Sequence, residues 1–221
     1  MKIILKKQYQ EIINKLHENG AHCYIVGGYI RDLLLKKEST DIDVEVFNIS
    51  KNKLKNILKD YDEFQEFNKY GVYKVGKEIS FSIPRKDKKN NQKGYHGFDV
   101  EFIPNASIKE ALQRRDLTIN AIYYNLKTNE LIDIVGGIND IEKRILKAIN
   151  SSFVEDPMRL LRIMRFACKY DFEIDLQTLN YCRSMNFNDA TKSKRDHFLS
   201  FLNSEEIYKM RLIEKNLNNF L

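Results

Sequence analysis

The carboxylates of Asp41 and Asp43 are separated by one aliphatic residue, in a segment where acids alternate with Ile42, Val44 and Val46. In an extended strand, residues i and i+2 leave the same face, so the two carboxylates would lie together and the valines opposite. Two like charges this close repel unless a divalent cation lies between them, and hard oxygen ligands suit Mg²⁺. The pair therefore predicts a Mg²⁺ site that takes substrate phosphates as further ligands, although a solvated edge strand would show the same pattern.

A pair of glycines, Gly27 and Gly28, ends the apolar strand Tyr24 to Val26 upstream of these acids. Glycine lets the backbone turn tightly and approach a ligand closely, and a following helix N-terminus offers unpaired N–H groups to phosphate. Arg31 adds a fork-shaped donor at the same place. A glycine pair alone is usually a simple turn, and the third glycine of a dinucleotide fingerprint is missing. Together with the two acids, however, the pair favours a phosphate site beside the metal.

Two adjacent arginines and an acid form a second motif, Arg114-Arg115-Asp116, which continues through Thr118 to Asn120. A surface ion-pair cluster would contain the same residues, and Asp116 could cap the start of a helix. The functional alternative assigns an arginine to a triphosphate and Asp116 to a ribose hydroxyl.

A third motif begins at Asp156 and Pro157, a strong helix start because Asp is favoured at the N-cap and Pro at the first helical position. Arg159, Arg162 and Arg165 follow at a spacing of three, which places them on one gradually rotating stripe. Three arginines repel each other without an anion. The stripe therefore predicts an anion-binding face, with a solvated helix surface as the alternative.

The elements that would position these motifs change along the chain. Up to about residue 150, short apolar strands alternate with helices, and from about residue 155 the pattern is helical. The segment 119–125 is ambiguous in period. The pattern predicts helices over 6–19, 29–36, 51–60 and 107–113, strands over 24–26, 41–47, 70–75, 79–83, 98–102 and 131–134, and an exposed basic loop over 84–94.

Composition sets further limits. With 221 residues, 43% of them hydrophobic, the chain has core material for one large domain or two small ones. No segment approaches the ~20 apolar residues that span a bilayer, and the early charges of the N-terminus do not suit a secretory signal. Three widely spaced cysteines argue against a disulfide framework, which predicts a cytoplasmic protein. The net charge of +6 favours an anionic partner.

In order and spacing, the three motifs resemble the class II tRNA nucleotidyltransferase and bacterial poly(A) polymerase family of the polymerase-beta-like superfamily. The resemblance runs from about Tyr24 to about Phe172. It implies an α+β fold, with a small mixed β-sheet nucleotidyltransferase head over residues 1–150 and an all-helical neck over residues 151–221. Members of the family usually continue for a hundred residues or more, so the neck is expected to be truncated relative to them.

The resemblance also implies a reaction, the Mg²⁺-dependent, template-independent addition of CMP and AMP from CTP and ATP to an RNA 3′ end. The CCA end of tRNA is the expected product. A poly(A) polymerase, an A-only or CC-only adding enzyme, and a catalytically silent RNA-binding head fragment remain as alternatives. The expected partners are tRNA or another RNA 3′ end, ATP, CTP, and a partner chain or homo-oligomer that supplies missing RNA-binding surface. No membrane contact is expected.

By resemblance, Asp41 and Asp43 are the catalytic residues and metal ligands. The implied nucleotide-binding residues serve the triphosphate (Gly28 and Arg31), the nucleotide and its sugar (Arg115, Asp116 and Asn120), the base (Asp156 and Arg159), and the base-recognising helix or the phosphates (Arg162 and Arg165).

The assignment of the base to Asp156 and Arg159 agrees with hydrogen-bond chemistry, because Asp accepts and Arg donates. ATP and CTP both present an exocyclic amine donor beside an acceptor ring nitrogen, so one Asp–Arg pair matches both. GTP and UTP present the reverse order and would leave both side chains unpaired.

One position departs from the family's pattern, in which a third acid usually stands five residues before an arginine. Counting back from Arg85 gives Ser80. Glu78 would share the face of Ser80 in a strand and is the expected third metal ligand. The alternatives are Asp99, Glu101, Glu45 and a site with only two acids.

Overall fold

The computed structural model describes residues 2–90 and 98–185, together with Asp196 and Ser200. The chain divides into two units, the first formed by Met1–Lys88, Val100–Arg115 and Ile119–Ile138. The second contains the described residues of Lys89–Asp99, Asp116–Thr118 and Asn139–Leu221. The two units alternate along the chain, and the domain boundary at residue 150 stays a prediction.

Each strand and helix predicted from the sequence pattern has a counterpart in the structure. The described residues form strands β1 (His22–Val26), β2 (Ile42–Phe47), β3 (Gln65–Phe67), β4 (Val72–Val75), β5 (Ile79–Ser82), β6 (Arg85–Lys89), β7 (Phe98–Phe102), β8 (Tyr123–Asn125), β9 (Leu131–Ile132), β10 (Ile145–Leu146) and β11 (Glu173–Ile174). They form helices α1 (Lys7–Glu18), α2 (Gly28–Leu34), α3 (Lys51–Leu58), α4 (Ile108–Ala111), α5 (Gly137–Glu142), α6 (Met158–Tyr170) and α7 (Leu176–Ser184). Short 3₁₀ turns lie at Asn68–Tyr70, Leu112–Arg114, Thr118–Asn120 and Ser151–Glu155.

A seven-stranded mixed sheet forms the centre of the first unit, in the order β3-β4-β5-β2-β1-β8-β9. Strands β2 and β5 are parallel, and the other neighbouring pairs are antiparallel. This arrangement confirms the predicted mixed sheet. It also places β2, which contains Asp43 and begins directly after Asp41, between β5 and β1.

Hydrophobic periodicity explains how the helices of this unit pack. The buried residues of α1 are Tyr9, Ile12, Ile13 and Leu16, a stripe with the spacing of one helix face. The helix packs on β1 and α3. On β5 the pattern has period two, since Ile79 and Phe81 are buried while the serines between and after them are only half-buried. One face of β5 is thus apolar, and its other face carries hydroxyl side chains.

The predicted exposed loop over 84–94 is wrong in its first half, because Arg85–Lys89 forms β6 and pairs with β7. Its sequence carries no hydrophobic alternation, so pattern analysis has no strand signal to detect. Ion pairs involve this strand instead: Arg85 and Asp87 pair within β6 at 2.8 Å, and Lys88 of β6 pairs with Glu101 of β7 at 2.8 Å. Residues 91–94 of the predicted loop lie outside the described residues.

Among its described residues, the second unit is mainly helical and contains α6 and α7, and the all-helical neck over residues 151–221 stays a prediction. A two-residue strand, β11, lies between these helices and pairs in parallel with β10. Helix α6 buries one apolar face, formed by Leu160, Leu161, Ile163, Met164, Phe166 and Tyr170. Among the helices built from described residues, none has both the length and the apolar content to cross a membrane.

Replacing Gly71 tests how closely the Phe102 ring, on β7, packs against the backbone at Gly71 within the first unit. Gly71 has φ +58°, and a Cβ there would overlap the Phe102 ring. The left-handed conformation costs roughly 1–2 kcal/mol for a residue with a side chain, and overpacking adds about 1–3 kcal/mol. Gly71→Ala should therefore lower the free energy of unfolding by more than Gly20→Ala. Gly20 has φ +82° but open space around its Cβ position. Urea denaturation of both variants measures the difference, and equal losses would contradict the packing.

Candidate active site

Asp43 lies on β2, and Asp41 lies directly before the first residue of this strand. Both are exposed, whereas Ile42 and Val44 are buried, which is the alternation expected for an extended strand. Asp43 lies opposite Ser80 in the register of β2 and β5, and the Ser80 hydroxyl donates to Asp43 Oδ1 at 2.6 Å. The position predicted for a third acid therefore carries a hydroxyl that orients one of the two carboxylates.

A glycine turn approaches Asp43 from the end of β1. Gly27 has φ +90° and ψ −141°, a conformation that residues with side chains rarely adopt. A Cβ on Gly27 would lie 3.7 Å from Asp43 Oδ2 and 3.9 Å from Arg115 Nη1. Residues predicted from two separate motifs thus converge at this turn, all within the first unit.

Arg31, predicted to hold a triphosphate, is buried against protein groups. Its Nε and Nη2 donate to the two carboxylate oxygens of Asp32, at 2.9 and 3.0 Å, and its Nη1 donates to Asn120 Oδ1 at 2.6 Å. Gly28 makes room for this guanidinium, since a Cβ there would lie 3.3 Å from Arg31 Nη2. The structure thus shows these residues bracing the glycine turn, and the roles of Gly28, Arg31 and Asn120 in nucleotide binding stay predictions.

Glu45 continues the alternation of Asp41 and Asp43 but is completely buried. Its Oε1 accepts from Arg114 Nη2 at 2.8 Å, and its Oε2 accepts from Tyr123 Oη at 2.6 Å and Arg115 Nη2 at 3.3 Å. Burial by itself raises the pKa of Glu45, but the charges of Arg115 and Arg114 outweigh it and lower the pKa to about 2. We call these four residues, Glu45, Arg114, Arg115 and Tyr123, the Glu45 cluster.

The Glu45 cluster was not found by sequence analysis, which considered Glu45 only as an alternative metal ligand. The sequence did contain a hint of this cluster, because the two positive charges of Arg114 and Arg115 exceed the single negative charge of Asp116. The local sequence does not show that Glu45 is buried. Because Glu45 is buried whereas Asp41 and Asp43 are exposed, it is Glu45 that pairs with the arginines.

Glu78, the expected third metal ligand, forms an ion pair with Lys6, with 2.7 Å between Glu78 Oε2 and Lys6 Nζ, and its role toward a metal stays a prediction. Of the alternatives, Asp99 accepts from Asn90 and Glu101 pairs with Lys88. Within residues 2–90 and 98–185, no group of three acids, histidines or cysteines could hold a metal ion. The donors present are two exposed carboxylates. These hard oxygens still fit Mg²⁺, which completes its shell with waters and substrate phosphates.

In the second unit, Asp116 is buried and forms an ion pair with Arg162. Asp116 Oδ2 accepts from both Nε and Nη2 of Arg162, each at 2.7 Å, and its Oδ1 accepts from the backbone N–H of Leu117. This pair fixes one arginine of the predicted stripe. The roles of Asp116 toward a sugar and of Arg162 toward phosphates stay predictions.

Asp156 caps α6, as its sequence predicts, with Oδ1 accepting from the backbone N–H of Met158 at 3.0 Å. Pro157 has helical torsion angles, and the assigned helix begins one residue later. Arg159 Nη1 donates to the carbonyl oxygen of Ser152 at 2.8 Å, and Arg165 is half-buried. The base-recognising roles of Asp156 and Arg159, and the supporting role of Arg165, stay predictions.

Breaking the buried Arg31–Asp32 pair should be costly. Asp32→Asn leaves the Arg31 guanidinium, whose side chain is 7% exposed, without its counter-charge. Loss of one partner of a buried ion pair typically costs about 3–5 kcal/mol. The measurement is the free energy of unfolding in urea. Glu101→Gln, which breaks an exposed pair with Lys88, is the control and should change it little. Equal effects of the two substitutions would show that Arg31 is not held by charge.

Comparisons with known proteins agree with this geometry. Residues 23–147 match the family described as the poly(A) polymerase head domain. A curated relative, the multifunctional CCA protein of Xylella fastidiosa (strain M12), is 37% identical over 174 residues, 77% of this chain and 41% of the relative. The chain thus spans about two fifths of the length of that relative.

Two solved structures share the fold. The crystal structure of a tRNA nucleotidyltransferase complexed with a primer tRNA and an incoming ATP analog has a TM-score of 0.72 at 26% identity, covering 92% of this chain and 60% of that one. The CCA-adding enzyme of Bacillus stearothermophilus in complex with CTP has a TM-score of 0.63 at 24% identity, covering 96% and 49%. The predicted nucleotidyltransferase head fold is thereby confirmed. By its match over residues 23–147 and its 37% identity to a curated relative, the chain belongs to the class II tRNA nucleotidyltransferase and bacterial poly(A) polymerase family.

Proposed function

We propose that this chain carries the nucleotidyltransferase site of an enzyme that adds CMP and AMP, from CTP and ATP, to the 3′ end of RNA. The proposed substrate is tRNA, and the proposed product is its CCA end. The observation that carries the proposal is the convergence of Gly27, Asp43 and Arg115 in the first unit, within the segment that matches the family. A CCA protein among its relatives and a solved neighbour with primer tRNA and an ATP analog support the choice of tRNA.

Residues of the first unit have separate roles in the proposed nucleotidyl transfer. Asp41 and Asp43 would hold Mg²⁺, which when bound supplies positive charge for the attacking 3′-hydroxyl and the departing pyrophosphate. The Ser80 hydroxyl keeps one oxygen of Asp43 occupied and leaves Oδ2 facing the glycine turn. Gly27 has no side chain, so phosphates can approach the backbone there. Catalysis by such a site is mostly positioning and charge stabilisation.

In this proposal, Asp156 and Arg159 recognise the base of the incoming ATP or CTP. One oxygen of Asp156 caps α6, while Oδ2 accepts no hydrogen bond from any other described residue. An exocyclic amine of ATP or CTP would donate to Oδ2, with Arg159 donating to the adjacent ring nitrogen. Asp156 would then serve two purposes with two oxygens.

Nucleotide addition should depend on both Asp41 and Asp43. The assay presents tRNAs ending at successive positions of CCA with each nucleotide in turn, and the wild type should add C, C and then A. Asp41→Ala or Asp43→Ala removes half of the metal's protein ligands and should slow addition by roughly 10³-fold or more.

Asp99→Ala and Glu101→Ala provide the matched controls for this assay, because these exposed acids have the same i, i+2 spacing on β7. They should leave addition near normal. Addition of A alone, C alone or a long A tract by the wild type would identify one of the alternative activities. Near-normal addition by Asp41→Ala or Asp43→Ala would remove the metal assignment.

Base choice should be separable from capping at Asp156. Asp156→Ser still caps α6 but no longer presents a charged acceptor, so the CTP-to-UTP incorporation ratio should fall by roughly 10–100-fold, for about 1–3 kcal/mol of lost base recognition. The matched control is Asp175→Ser, the same change at the N-cap of α7, where Asp175 accepts from the Thr178 N–H. The control should keep the wild-type ratio. If Asp156→Ser keeps both the wild-type CTP-to-UTP incorporation ratio and a high rate of addition, Asp156 only caps α6 and does not select the base.

A further inference from the structure

The Glu45 cluster contains a carboxylate that no step of the proposed reaction uses. Glu45 lies on β2 two residues beyond Asp43 and has no exposed surface. Burying a charge is unfavourable unless partners satisfy it. Here three donors do so, from Arg114, Arg115 and Tyr123. The sequence separations of 69, 70 and 78 residues show that the cluster joins distant segments of the first unit.

Within this cluster, Arg115 is held on two of its three nitrogens. Its Nη2 donates to Glu45 Oε2 at 3.3 Å, and its Nε donates to Tyr123 Oη at 3.3 Å. Its Cζ also lies 5.4 Å from the centre of the Tyr123 ring. A planar guanidinium fixed at two nitrogens has its third nitrogen fixed as well.

That third nitrogen, Arg115 Nη1, faces the glycine turn. It lies 3.9 Å from the point where a Cβ of Gly27 would be, and Asp43 Oδ2 lies 3.7 Å from the same point. Within the described part of the chain, Nη1 donates no hydrogen bond to another residue. A donor is therefore aimed at the place where the backbone leaves room for a ligand.

The chemistry of Arg115 adds a second argument. A guanidinium is always charged, and its hydrogen bonds to phosphate oxygens are of the strong, charge-assisted kind. A phosphate oxygen at the glycine turn is therefore the acceptor that suits Arg115 Nη1.

We propose that Glu45 is a positioning residue, which sets Arg115 Nη1 to bind a phosphate of the incoming nucleoside triphosphate at the Gly27–Gly28 turn. The inference rests on the proposed function, because it assigns the ligand of that site. Glu45 does not touch the nucleotide and acts only through Arg115. A purely structural role would neutralise the two arginines without affecting nucleotide affinity.

The test is a double-mutant cycle on nucleotide binding. The dissociation constants of CTP and ATP are measured by calorimetry with Mg²⁺ and no RNA, for wild type, Glu45→Gln, Arg115→Gln and the double variant. Glu45→Gln should weaken binding by roughly 10-fold or more, as expected for a lost charge-assisted hydrogen bond. The double variant should bind no more weakly than Arg115→Gln alone, because Glu45 has nothing left to position.

Two further variants separate this effect from loss of folding. Tyr123→Phe keeps the ion pairs and the ring but removes the hydroxyl that holds Arg115 Nε, so it should weaken binding in the same direction with the fold intact. Glu66→Gln makes the same chemical change on β3, where Glu66 pairs with Lys55 at 2.6 Å. It should leave nucleotide affinity unchanged.

The outcomes distinguish this inference from the proposed function. Wild-type affinity in Glu45→Gln and Tyr123→Phe, with weak binding in Arg115→Gln, would overturn the role of Glu45 and leave the nucleotide site standing. Losses that simply multiply in the double variant would also overturn it, since Glu45 would then act independently of Arg115. A wild-type chain that binds neither CTP nor ATP would overturn the proposed function, and the role of Glu45 with it.

Discussion

A carboxylate removed from water must be matched by donors, and in the first unit this requirement falls on Glu45. Its two oxygens recruit both arginines of the second motif and the hydroxyl of Tyr123. The 3₁₀ turn at Leu112–Arg114 and strand β8 are thereby tied to β2. Because Asp43 lies on β2 and Asp41 directly before it, one short segment supplies both the acids that face solvent and the acid that holds the arginines in place.

A second buried pair has the same function for the glycine turn. Arg31 and Asp32, adjacent on α2, neutralise each other, and Arg31 reaches Asn120 across 89 residues. The turn at Gly27 is therefore fixed on one side by β1 and on the other by α2. The motif residues thus divide into a group whose side chains bind other protein groups, including Arg31 and Asn120, and a group whose carboxylates are exposed, Asp41 and Asp43.

Local patterns in the sequence predicted much of this arrangement. Alternation predicted β2 and β5, helical periodicity predicted α1 and α3, and the Asp-Pro pair predicted the start of α6, because each signal depends on residues that are close in the chain. Strand β6 was missed, since its charged residues carry no periodic apolar signal. The buried state of Glu45 and the pairing of Arg31 with Asn120 depend on contacts between distant segments, which a local pattern does not contain. The same holds for the ion pair of Glu78 with Lys6, since these residues are 72 positions apart in the chain.

The order of strands in the seven-stranded sheet has a consequence for how the site comes into being. β1 lies between β2 and β8, so its second edge is covered only by residues about a hundred positions further along the chain. A contact of the N-terminal segment also depends on that region, because the backbone N–H of Ile3 donates to the Tyr124 hydroxyl, 121 residues away. Such long-range closure slows folding. On the ribosome, the acids of β2 emerge well before Tyr123 does, so the guanidinium groups cannot be locked around Glu45 until nearly the whole first unit has been synthesised. The site is therefore assembled late in the synthesis of the first unit.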